Sequence, residues 1–156
     1  MLDLPWLAAL GALAVILSEG ASAWLRGGPR QLVWPPFVRG WEVACALRLA
    51  AAPWIALFVV SLANLLALLI EEVEGGLPSL AEVWLWLAAA SVAAMIGPFM
   101  HRRSRRVAAL SLCLLAALWA ALASHGAPAV LLLPGLVFLL WALNGLRAAL
   151  VDASIG

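Results

Sequence analysis

The chain has 156 residues, carries a net charge of +1 and is 67% hydrophobic before its 12 glycines are counted, with charged residues at only 11%. Soluble domains run at about 45–50% apolar with glycine included and about 25% charged, and a water-soluble fold of this length cannot hide so much apolar surface. The composition excludes a soluble enzyme, a nucleic-acid-binding domain and a disordered segment, and makes lipid the solvent for most of the chain.

A bilayer-spanning helix needs about 20 mainly apolar residues, and five stretches qualify. The first covers residues 4–25 and contains one ionisable residue, Glu19. Its apolar run at residues 7–17 precedes Ala21-Ser22-Ala23, which has the small-x-small form of a signal-peptide cleavage site. Asp3, with no Arg or Lys nearby, favours a retained first helix instead. Residues 26–40 (RGGPRQLVWPPFVRG) read as a loop, since Pro35-Pro36 cannot continue a helix. Residues 41–48 mix charge with apolar side chains, so they either lie in the interface or extend the second helix. That helix, residues 49–70, has no charge.

An acidic loop at residues 71–80 holds Glu71, Glu72 and Glu74, a solvated group that can hold a cation only weakly. The third helix covers residues 83–100, and the basic turn HRRSRR fills 101–106. The fourth and fifth helices follow at residues 107–124 and 129–146, joined by SHGAP. The expected fold is therefore an all-α polytopic integral membrane protein, with residues 1–156 forming one transmembrane helical domain. A four-span arrangement, in which one segment of the short hairpin of the fourth and fifth helices only dips into the bilayer, is the alternative.

Arginine positions set the expected orientation, because Lys/Arg bias determines topology and acidic residues count for little. All nine basic residues are Arg. Arg26, Arg30, Arg39 and Arg48 surround the first connection, Arg102, Arg103, Arg105 and Arg106 the third, and Arg147 the C-terminal tail. With five spans these share one side. The expectation is an N-terminus outside and a C-terminus in the cytoplasm, in a bacterial inner membrane.

Ionisable groups inside a membrane are functional candidates because their burial is costly. Glu19, Arg48, Asn144 and Arg147 fall at one depth under this topology. They form either a proton- or anion-handling cluster or, as the favoured reading, an interhelical ion pair with snorkelling arginine stems. Ser61 and Asn64 share a face of the second helix and read as packing groups. His101 and His125 are weak candidates for cofactor ligands, and all of the fourth helix separates them. Cys45 and Cys113 have no partner at metal-ligand or redox-motif spacing. Of nine Trp, Trp6, Trp24, Trp34, Trp41 and Trp84 fall at belt positions, whereas Trp54, Trp86, Trp119 and Trp141 lie deeper.

Small residues recur at four-residue spacing: Ala89, Ala93 and Gly97 on the third helix, and Cys113, Ala117 and Ala121 on the fourth. Such stripes let helices approach closely. The chain carries no HExxH, GxSxG or P-loop, so no enzyme is indicated and no metal or cofactor is implied by motif. Contact with lipid, quinone or pigment stays open. The expected role is a non-catalytic accessory subunit of a larger membrane complex, with other membrane subunits, itself and lipids as partners. The alternatives are an oligomeric transporter or channel component using Glu19, Arg48 and Asn64, and, more remotely, a membrane enzyme acting on lipid or quinone.

Overall fold

The computed structural model describes residues 4–73, 79–101, 104–126 and 128–155. All secondary structure among the described residues is helical: α1 Leu4–Val33, α2 Gly40–Val73, α3 Leu80–His101, α4 Arg105–Ser124 and α5 Ala129–Ile155. Each of the five is long and apolar enough to cross a membrane. The chain is an all-α, multi-pass membrane protein.

The helices run past the limits that hydropathy alone sets. Residues 26–33, expected in a loop, are helical. Gly28 ends the first piece of α1 with φ 66° and ψ −166°, a left-handed conformation that glycine adopts without steric cost. Pro29 then restarts the helix, because its ring presets the helical φ and its missing N–H is not needed in a first turn. The chain leaves the helix just before Pro35-Pro36.

Residues 41–48 extend α2 rather than forming a separate interfacial element. Glu42 anchors that start: its Oε2 accepts the backbone N–H groups of Val38 and Arg39 at 2.7 and 3.0 Å. This is the reach-back half of a capping box. At 34 residues, α2 is roughly 51 Å long, against a hydrocarbon core of about 30 Å. It must therefore tilt or project beyond the lipid. At the other basic connection, Ser104 caps α4, its Oγ accepting the Val107 N–H at 3.5 Å; Arg102 and Arg103 lie outside the described residues. In the acidic connection Glu71 and Glu72 complete α2, and Glu74 lies outside the described residues.

α2 is the hub. It packs on α1, α3 and α5, and α5 packs also on α4, while α3–α4 and α1–α5 contacts are slight. The hub is built from small side chains: Ala46, Ala50, Ala51 and Ala52 are wholly buried. A Cβ at Gly145 on α5 would lie 2.5 Å from the Ala50 Cβ and 3.2 Å from Met100 Cε on α3. Three helices thus meet where one side chain is missing. Close backbone approach matters here because lipid removes the hydrophobic drive between helices. On α3, Ala93 and Gly97 are buried and Ala89 half-buried, and Gly97 approaches Ile55 of α2, so this stripe is used within the chain.

Two indoles tie α4 to its neighbours. The Trp54 Nε1–H donates to Ser111 Oγ at 2.6 Å, fully buried. The Trp119 Nε1–H donates to the Leu132 carbonyl at 3.1 Å, with its ring so close to Gly135 that a Cβ there would meet it at 2.6 Å.

Gly145→Ala is expected to lower stability by about 1–3 kcal/mol, the usual cost of overpacking. Gly11→Ala, whose added Cβ meets nothing within 4 Å, should leave stability unchanged or raise it by up to about 1 kcal/mol through helix propensity. Denaturant unfolding in mild detergent, followed by circular dichroism, measures both.

Candidate functional site

The polar side chains collect where α1 ends, α2 begins and α5 finishes. The end of a helix leaves carbonyls without intrahelical donors, and in an apolar setting those must find partners. The Val33 carbonyl at the end of α1 accepts Asn144 Nδ2 from α5 at 3.0 Å. Asn144 Oδ1 in turn accepts the Arg147 guanidinium at 2.9 Å. That guanidinium lies over the Trp34 ring, 3.5 Å from its centroid, and 5.0 Å from the Phe37 centroid. A carbonyl, an amide, a cation and two aromatic rings therefore form one chain of contacts docking the end of α1 on α5.

Of the four residues expected to cluster, the structure joins two. Asn144 and Arg147 are bonded, but their further partners are a backbone carbonyl and aromatic faces, with no carboxylate bonded to them among the described residues. Glu19 is half-buried on α1 and Arg48 exposed on α2. Both lie within Coulombic range of buried Cys45, yet neither makes a hydrogen bond or ion pair with a described residue. The interhelical ion pair is not formed. Asn144 instead meets the end of α1, and Glu19 has no ion pair among the described residues.

A second polar group adjoins the first. Arg26, Gly27, Arg30 and Gln31 of α1 face Pro36, Val38, Arg39, Trp41 and Glu42 across a cleft of about 420 Å³. Gln31 is 2% exposed, and its Nε2 donates to the Glu42 carbonyl at 3.3 Å. Sequence reasoning treated these arginines as topology markers only. The signal that they share a cleft was present in Glu42, three residues after Arg39 and so placed to fasten the start of α2.

Elsewhere the polar groups serve their own helices. Asn64 donates to the Val60 carbonyl at 2.8 Å, while Ser61 is wholly buried and its Oγ has no hydrogen-bond partner among the described residues. His101 ends α3, and exposed His125 caps the far end of α4, so the two histidines stand at opposite ends of the bundle. The belt tryptophans Trp6, Trp24, Trp34 and Trp84 are exposed, and Trp54 and Trp141 are buried. Between α1 and α5 runs an apolar groove of about 740 Å³, lined by Leu13, Leu17, Trp24, Val137, Phe138 and Trp141 among others. On α4, Cys113, Ala117 and Ala121 are all exposed, because α4 buries Ala108 and Ser111 on the face toward its neighbours.

Asn144→Ala removes the donor to Val33 and the acceptor for Arg147 together, and should cost about 1–3 kcal/mol. Glu19→Gln, which breaks no bond to a described residue, should change stability by less than about 0.5 kcal/mol. Unfolding of the two variants in the same detergent separates a structural role for Asn144 from one for Glu19. Comparison with protein-family models, with curated proteins and with solved structures gives no match for this chain.

Proposed function

We propose that this protein is a non-catalytic accessory subunit that packs laterally against a larger complex in the bacterial inner membrane. The observation that carries the reading is the outward face of α4. Cys113, Ala117 and Ala121 are exposed, as are Ala116 and Ala120 between them. A face of small side chains gains little from lipid, whereas another helix can come close enough there to gain dispersion contacts. Of the two stripes, the one on α3 is already covered by α2, and the one on α4 is open to a partner.

The arginines among the described residues fall toward the end where α1 finishes, α2 starts, α4 starts and α5 finishes. The positive-inside bias supports a cytoplasmic C-terminus and an external N-terminus. Membrane-impermeant thiol labelling of intact cells tests this, with Ser104→Cys expected to be protected and Gly75→Cys labelled. The reverse pattern overturns the orientation.

Ala117→Leu and Ala121→Leu should weaken partner association at least tenfold by steric overlap, while the monomer stays folded and inserted. Leu114→Ala, a neighbouring change that removes bulk, should not. Co-purification in mild detergent, followed by size analysis, reads the difference. A transporter gives the opposite result: the isolated protein moves a solute in proteoliposomes, Glu19→Gln abolishes the flux, and the α4 substitutions leave the assembly intact.

A further inference from the structure

We propose that the cleft between the end of α1 and the start of α2 binds the phosphate group of an anionic phospholipid, held by Arg26, Arg30 and Arg39. All three arginines line one cleft, and none pairs with a carboxylate among the described residues. The carboxylate that shares the cleft, Glu42, is 7% exposed and is already committed to the Val38 and Arg39 N–H groups. It holds the cleft's shape and leaves a surplus of positive charge. Guanidinium groups match phosphate oxygens in a planar, two-pronged geometry, and basic pockets between transmembrane helices are suited to anionic headgroups.

The surroundings select a lipid over a soluble anion. The apolar run of α1 ends at Leu25, directly before Arg26, so the cleft adjoins the end of a membrane-spanning segment, where headgroups meet the chain. Its walls are amphiphilic. Val38, inside the cleft, is 81% exposed, and Leu25, next to Arg26, is 85% exposed. A free phosphate has no use for that apolar surface, whereas acyl chains entering beside the headgroup cover it. The backbone is also set for this shape. Gly28 and Phe37, with φ 66° and 55°, bracket the cleft in left-handed conformations, and the non-glycine example is costly enough to need support from its surroundings.

The test is lipid binding to the purified full-length chain in mild non-ionic detergent, counted by native mass spectrometry during titration with phosphatidylglycerol. Saturable binding of phosphatidylglycerol, with phosphatidylcholine binding at least tenfold more weakly, is the expected result. Arginines near an anionic headgroup contribute about fivefold each, so Arg26→Gln/Arg30→Gln/Arg39→Gln should weaken binding roughly a hundredfold. The single change Arg30→Gln, at an exposed position, should weaken it about fivefold and guards against misfolding of the triple variant. Arg48→Gln/Arg105→Gln/Arg106→Gln removes as many charges from the same end and should leave binding within about twofold, since charges outside the cleft are screened. Equal binding of phosphatidylcholine overturns the proposal, as does an equal loss in the control variant. Displacement of the lipid by inorganic phosphate at a similar concentration overturns it too, by assigning the cleft to a soluble anion.

Discussion

Backbone proximity between α2 and α5, made possible by Ala50 facing Gly145, is the constraint on which the bundle depends. Water would press any two apolar helices together, but lipid solvates leucine as well as another helix does. What remains is dispersion, which falls away within an ångström of separation. The chain answers with alanine where its hub helix is most buried and with glycine where the third partner crosses. Larger apolar residues go outward, where Leu25, Leu80 and Leu133 meet the surroundings. The arrangement inverts the soluble pattern, in which the largest apolar side chains fill the middle.

The same solvent decides where polar groups stand. With no water in the hydrocarbon region, each donor and acceptor must find an internal partner, and most here do so locally. Ser18, Ser91 and Asn64 bond carbonyls on their own helices. The exceptions are informative. The indoles of Trp54 and Trp119 and the amides of Gln31 and Asn144 reach across to other elements, so these are the places where the fold's geometry is specified and not merely permitted. Ser61 is the reverse case, a buried hydroxyl with no such bond.

Much of the fold was legible because lipid solubility writes itself as length and composition. Five apolar runs became five helices, although α1 runs on to Val33 through residues that read as a loop. The helix ends were not legible from hydropathy, since capping by Glu42 and Ser104 and the restart at Pro29 depend on single side chains whose geometry hydropathy averages away. The polar site was half legible. Depth along the helices correctly brought Asn144 and Arg147 into one layer, one turn apart on α5. It could not give rotation about the helix axis, and Glu19 and Arg48 have no bond between them. For the same reason the two small-residue stripes looked alike in sequence, although one faces α2 and the other faces outward.

The tie between Asn144 and Val33 spans 111 positions of sequence, and this has a consequence for biogenesis. α1, α2 and α3 pack as sequential neighbours, so those contacts can form as each segment emerges from the ribosome. α5 must return past two later helices to reach the hub. Until it arrives, the alanine face of α2 and the last carbonyl of α1 lie open to the bilayer. The most deeply buried seam of the protein is therefore closed last, and the nascent chain spends most of its synthesis as a half-assembled sheet of helices. Quality-control machinery has that interval in which to recognise it.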